Sequence, residues 1–235
     1  MIAPGLGADL DWLERRFGFR ARDADLIARA LTHRSAPGPD NERLEFLGDA
    51  VLSFIVAEML YVEYGSADEG DLSRFRAALV SGEALADVAE TLAIGERLRL
   101  GPGELRSGGF RRRSILADAF EALLGAIYLE GGVDAARGVV ERLWRPRLQA
   151  LRETPPPKDP KTRLQEWLQG RGLPLPLYTV ESIGGEPHSQ VFSVQCAVAS
   201  ANIITDGRGS SRRRAEQLAA ERALAQLEAG VDSHD

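Results

Sequence analysis

A single cysteine, Cys196, excludes an intramolecular disulfide framework, and three histidines with no His/Cys pair at zinc spacing exclude a zinc site of the usual kind. No apolar run approaches the ~20 residues of a membrane-spanning helix. No N-terminal stretch has the basic flank and apolar segment of a secretory signal. Lysine occurs only at Lys158 and Lys161, so nearly all the basic charge is arginine. These absences read most simply as a soluble, cytoplasmic chain with no membrane partner. What remains is an ordinary globular composition, 235 residues with 44% hydrophobic side chains, enough for one large domain or two smaller ones. The formal net charge of −6 ordinarily argues against a nucleic-acid partner, but its distribution matters more than its total. Residues 1–157 carry most of the acidic excess. Residues 158–235 are close to neutral and concentrate Arg208, Arg212, Arg213 and Arg214 in one short stretch.

Helical periodicity covers 9–18, 23–32, 41–64, 69–80, 82–93, 114–130 and 133–152, punctuated by Pro37-Gly38-Pro39 and Gly101-Pro102-Gly103. No strand alternation interrupts it, so residues 1–152 read as an all-α domain. Residues 153–160 contain four prolines and form an extended linker, because proline lacks the N–H of a helix interior and clashes with the preceding turn. Residues 161–229 change period. A short helix over 162–170 precedes strand candidates at 177–182, 192–198 and 201–206, and an alanine-rich helix covers 211–227. The order is α-β-β-β-α, and the alternation around Cys196 places its thiol inward as a packed core group.

The stretch Asn41 to Leu52 sets Glu42, Glu45 and Asp49 into an apolar helix, within roughly 60° of one another at 100° per residue. No lysine or arginine lies at helical spacing inside that stripe. A second pair, Asp118 and Glu121, sits i, i+3 in another apolar helix, and Glu69 opens a third. Buried carboxylates need partners. One reading is a hard, all-oxygen site for Mg²⁺, with Mn²⁺ as substitute, acting on a phosphate ester by activating water and neutralising the leaving oxygen. The other is a pair of solvated helix faces with ordinary Arg–Glu pairs, Arg43 being close at hand. Spacing alone leaves both open.

Ser211 is a good N-cap, which puts Arg212, Arg213 and Arg214 in a first helical turn, where cations oppose the helix dipole. Arginines together with N-terminal amides suit a phosphate backbone. The alternative is a solvated basic patch partly offset by Glu216. His188 lies in a hairpin loop, either simply exposed or placed for a minor-groove contact. His33 carries no functional reading.

Taken together, these residues resemble the bacterial ribonuclease III family. Asn41 to Leu52 looks like the signature of its endonuclease domain. Leu31-Thr32-His33-Arg34-Ser35, Glu69-Gly70-Asp71-Leu72-Ser73 and Ser114 to Ala122 match further blocks. Lys161-Thr162-Arg163-Leu164-Gln165-Glu166, Pro187-His188 and Ser211 to Ala220 match a double-stranded-RNA-binding domain. The resemblance implies an all-α endonuclease domain followed by a small α+β domain. It implies metal-dependent hydrolysis of double-stranded RNA, leaving 5′-phosphate and 3′-hydroxyl ends with short 3′ overhangs, and no small-molecule substrate. By position, Glu45, Asp118 and Glu121 would ligate Mg²⁺ and Asp49 and Glu121 would be catalytic. Glu42 and Glu69 match accessory acidic positions. Gln165, Glu166, His188, Ser211, Arg212, Arg213 and Arg214 would face RNA, whose A-form shape is read through phosphates and 2′-hydroxyls. A homodimer is also implied, with Phe46 inserting into the partner. The rival reading is a catalytically inert duplex-RNA-binding protein, which predicts a missing acid. A redox carboxylate bundle would need Glu-x-x-His motifs, and the chain has none.

Overall fold

The computed structural model describes residues 6–153, 155, 157–185 and 190–232, and the chain divides into two compact units, Met1–Pro156 and Pro157–Asp235. In the first unit, helices α1 (Leu6–Phe17), α2 (Ala24–Ala30), α3 (Glu42–Glu63), α4 (Glu69–Leu79), α5 (Gly82–Thr91), the short α6 (Pro102–Arg106) and the long α7 (Arg113–Glu153) follow one another with no strand among the described residues. The sequence reading separates 114–130 from 133–152. The structure agrees: the two halves of α7 meet at a kink at Gly132, whose φ of 74° and extended ψ of −173° need a residue without a Cβ. Helix α6 has too few apolar residues to show a period, and sequence reading leaves it as a loop.

The core explains the order. Leu52, Ile55 and Leu60 of α3 and Phe120, Leu123 and Ile127 of α7 are fully buried in one cluster. A run of aromatic contacts ties the ends to it. Phe17 stacks on Phe120 with ring centroids 6.1 Å apart, and Phe120 meets Trp144 at 5.4 Å. Both buried indoles satisfy their N–H on loop-facing carbonyls, Trp12 on Leu92 at 3.1 Å and Trp144 on Leu79 at 3.2 Å. The segment 31–35 is pinned across the helices. Thr32 pairs with Arg99 in an isolated parallel bridge, and the Arg99 guanidinium reaches buried Asp9 at 2.6 Å.

In the second unit, α8 (Pro160–Gln169) precedes an antiparallel sheet of order β1 (Leu177–Gly184), β2 (Val191–Val198), β3 (Ile203–Gly209), and α9 (Arg212–Asp232) closes it. Leu164 and Leu168 of α8 and Ala219, Ala220, Ala223 and Leu224 of α9 pack on Cys196 and Val198. Cys196 is fully buried, as its place on the inward register requires. The third strand begins two residues later than the sequence reading has it. Ala199–Ala201 forms a 3-10 turn, and Asn202 takes the left-handed conformation (φ 53°) that small polar side chains tolerate, so pairing resumes only at Ile203.

Candidate active site

Helices α3 and α7 touch backbone to backbone. A Cβ placed on Gly48 would overlap the carbonyl oxygen of Glu121, and one on Gly125 would overlap that of Leu44. The acids flank this contact. Glu45 lies about one turn before Gly48 and Asp49 directly after it, while Asp118 and Glu121 occupy the turns of α7 leading to Gly125. One carboxylate oxygen from each of Glu45, Asp118 and Glu121 lies within 4.8 Å of the other two, all three residues being half-buried. None of the three makes an ion pair among the described residues.

The electrostatic cost is large and has a physical origin. Burial, then the charges of Asp49, Glu45 and Asp118, push the Glu121 carboxyl up to about 8. Burial and then the charge of Asp118 raise Glu45, and burial raises Asp118, with His33 and Arg34 pulling the other way. Three oxygen donors that repel one another, with no protein cation among them, fit a hard divalent cation and little else.

Asp49 is exposed and lies outside the tight group, yet its charge is the largest electrostatic contribution at Glu121. Glu42 is also exposed, and its counter-charge is Arg34 at 3.3 Å. No cation at helical spacing inside α3 faces that stripe. The cation arrives instead from the 31–35 segment, which helical spacing cannot reveal. Glu69 accepts from Ser73 Oγ at 2.8 Å at the start of α4 and is not brought into the cluster.

A cavity of about 600 Å³ opens beside Glu45 and Asp118, walled also by His33, Arg34, Asn41 and Arg112. Sequence reasoning singles out none of these four as a site residue. His33 hydrogen-bonds Ser35 Oγ at 2.8 Å, and that hydroxyl accepts the Gly101 amide at 3.0 Å, which fixes the wall. Asn41 is 2% exposed, and its side-chain nitrogen has no partner among the described residues. The usable signal was Asn41 at the entry of α3, where an N-cap side chain normally bonds its own helix and here makes no such bond.

In the second unit, Gln165 and Glu166 are exposed on α8, with Glu166 accepting from Lys158 Nζ at 2.7 Å. Ser211 accepts the Arg214 amide at 3.2 Å, the expected cap. Arg212 and Arg213 are not free cations. Arg212 Nε donates to Glu216 at 2.8 Å, and Arg213 lies 3.6 Å from Asp159. Arg214 is exposed, and His188 lies outside the described residues.

A Ribonuclease-III-like family matches residues 23–148, and a double-stranded RNA binding motif matches residues 160–227. Ribonuclease 3 of Vibrio campbellii is 54% identical over 225 residues, covering 96% of this chain and 100% of that protein. The chain belongs to the ribonuclease III family. Ribonuclease 3 of Vibrio cholerae is 53% identical over 93% of this chain and 97% of that protein. A solved nuclease domain of ribonuclease III from Campylobacter jejuni is 40% identical with a TM-score of 0.58, covering 60% of this chain and 99% of that one. It is described by a flexible region involved in its dimer formation. The crossing of α3 and α7 that gathers the acids therefore lies within the ribonuclease-III-like region, and the arginine-led helix lies within the RNA-binding motif. No described helix is long and apolar enough to cross a membrane.

Proposed function

We infer that this ribonuclease III hydrolyses double-stranded RNA with Mg²⁺, Mn²⁺ serving as substitute. The products carry 5′-phosphate and 3′-hydroxyl ends with short 3′ overhangs. Its substrates are ribosomal RNA precursors and other structured transcripts of the cytoplasm. The observation that carries the reading is the convergence of Glu45, Asp118 and Glu121 beside an open cavity, on a chain that also bears a double-stranded RNA binding motif.

Glu45, Asp118 and Glu121 would supply the oxygens for the ion, with the Glu121 carboxyl deprotonated. A divalent ion bound there would lower the pKa of a water molecule and offset the charge developing on the phosphate. Asp49, exposed at the edge of the cluster, accepts a hydrogen bond from the attacking water at a carboxylate oxygen. Glu42 and Glu69 have accessory roles, Glu42 by holding Arg34 at the cavity wall. On the second unit, Gln165, Glu166, His188 and Ser211 meet the RNA minor groove, while Arg212, Arg213 and Arg214 meet phosphates.

The deciding assay incubates a long RNA duplex with the protein in Mg²⁺ and again in EDTA. Cutting only with the metal is the expected result. Binding in both conditions with cutting in neither would instead indicate an inert binding protein, a reading for which no acid of the cluster is missing. Replacing Arg212 and Arg213 together by alanine should weaken duplex binding and reduce its salt dependence by about 0.7–0.9 in log–log slope for each phosphate no longer neutralised. Filter binding across a salt series measures this, and a parental slope counts against the assignment.

The active unit is a homodimer in this reading. Phe46, Phe54 and Tyr61 recur at seven- and eight-residue intervals on one face of α3 and are 80%, 55% and 74% exposed. A Phe46→Glu variant should sediment at about half the parental mass at micromolar concentration, since a charge at the centre of an apolar contact costs several kcal/mol. Parental mass in analytical ultracentrifugation would remove Phe46 from the interface.

A further inference from the structure

Glu216 occupies a place where a carboxylate is expensive. Its side chain is 10% exposed, on the inward side of α9 between the core alanines Ala215 and Ala219. Packing alone would favour an apolar residue there, because a buried ion pair rarely outperforms a hydrophobic one of equal size. The carboxylate is instead held from two sides. Lys161 Nζ of α8 donates to Oε2, and Arg212 Nε donates to Oε1 at 2.8 Å. Burial by itself would push this carboxyl up, and the two hydrogen-bonded cations outweigh that and hold it below its usual range. Lys161 is fixed in turn, its ammonium 4.6 Å from the centre of the Tyr178 ring.

The consequence falls on Arg212. Its side chain is 64% exposed, and only Nε is engaged, so both terminal amino groups are without partners among the described residues. A planar guanidinium clamped through Nε presents its outer edge in one orientation, the geometry that two phosphate oxygens require. A neighbouring carboxylate repeats the device. Asp159 caps α8 by accepting the Lys161 amide at 2.9 Å, accepts Gln217 Nε2 at 2.7 Å and lies 3.6 Å from Arg213. The starts of the two helices are thereby tied, and the basic edge has a rigid base.

We propose that Glu216 is a positioning residue for RNA binding, a buried anchor that presets Arg212 for the phosphate backbone while Lys161 neutralises it from behind. The inference rests on the reading of Arg212 as a phosphate contact and adds to it a residue that never touches RNA. Its signature is a reversal of sign. Removing a negative charge from a basic RNA-binding surface should tighten binding if net charge alone decided. Loss of a positioning carboxylate weakens it, because the freed arginine must be ordered again at each binding event.

The test uses the full chain and a duplex RNA in Mg²⁺-free buffer, with Glu216→Gln, Glu216→Asp, Arg212→Ala and the Arg212→Ala/Glu216→Gln double variant. Glu216→Gln should raise Kd about five- to tenfold, a span set by the ordering cost of one long side chain. Its log–log salt slope should drop by about one, as in Arg212→Ala. In the double variant, Glu216→Gln should add less than about twofold, since it acts through a side chain already gone. With Mg²⁺ restored, KM should rise at unchanged kcat. Glu216→Asp keeps the charge but cannot reach Lys161 and Arg212 together. It decides the matter if the glutamine variant melts early, and it too should bind several-fold more weakly. Parental or tighter binding by a folded Glu216→Gln, or parental binding by Glu216→Asp, overturns the positioning role while Arg212→Ala remains weakened. Parental binding by Arg212→Ala removes the phosphate contact itself, and this inference falls with it.

Discussion

A Glu121→Gln protein binds duplex RNA with parental affinity and cuts it at least about 10³-fold more slowly, the scale on which removal of one member of a cooperating catalytic group registers. The same variant should differ from the parent without any RNA. In the metal-free protein the Glu121 carboxyl is pushed up to about 8, first by burial and then by Asp49, Glu45 and Asp118. Its folded value thus lies above its unfolded value, near 4.5. Between those values the folded chain holds more protons than the unfolded chain. The stabilising contribution is therefore complete below pH ~4.5 and is lost as pH rises through about 8. Glu45 and Asp118 are raised too and act in the same direction. The metal-free parent should melt several degrees lower at pH 8.5 than at pH 6. Mg²⁺ should recover the loss, with an affinity that increases over the same interval as the competing proton leaves. Glutamine at 121 cannot ionise, so its pH profile should be flatter and its Mg²⁺ response weak. Differential scanning fluorimetry across pH, with and without Mg²⁺, reads all of this. A Glu121→Gln profile superimposable on the parent, still rescued by Mg²⁺, would dismiss the assignment.

Much of this architecture is legible in the chain because its signals are local. The helices of the first unit carry uninterrupted 3.6-residue periods, and glycine and proline mark their gaps. The change to alternation around Cys196 announces the sheet. The acid pairs are legible as residues out of place, since carboxylates inside apolar helices demand explanation. What spacing cannot supply is the meeting of separate segments. Arg34 becomes the partner of Glu42, and His33 and Asn41 become cavity wall together, because the Asn41 amide donates to the Thr32 carbonyl at 2.9 Å and holds that segment at the entry of α3. For the same reason only part of the compensation of the α9 arginines is legible, the Arg212–Glu216 pair at i, i+4. The lysine that shares Glu216 with Arg212 lies 55 positions away in sequence, and no local period connects them. The start of β3 escapes on a different ground: the left-handed Asn202 is a backbone event, and side-chain alternation does not register it. Gly48 and Gly125 fall between these cases. A glycine inside an apolar helix costs about 1 kcal/mol relative to alanine, so each is a visible anomaly, though its reason lies in the opposite helix.

That anomaly yields a second large effect. Gly48→Ala should destabilise the nuclease unit by about 2–3 kcal/mol, although alanine is the better helix former by ~1 kcal/mol. The added Cβ would overlap the Glu121 carbonyl oxygen, a backbone atom that no rotamer change can move aside. Relief requires α3 and α7 to separate. For a unit of this size the melting temperature should fall by roughly 5–10 °C. Gly138→Ala, in α7 with nothing within 4 Å of the new methyl, is the control with the opposite sign and should be neutral or stabilising by up to about 1 kcal/mol. The two substitutions are chemically identical, so the difference isolates the helix contact. The contact also carries chemistry. Separating the helices moves Glu45 and Asp49 away from Asp118 and Glu121, so Gly48→Ala should lose Mg²⁺-induced stabilisation and most turnover at temperatures where circular dichroism shows it folded. Parental Mg²⁺ stabilisation and turnover in folded Gly48→Ala would mean that the close approach of the two backbones is not what assembles the site.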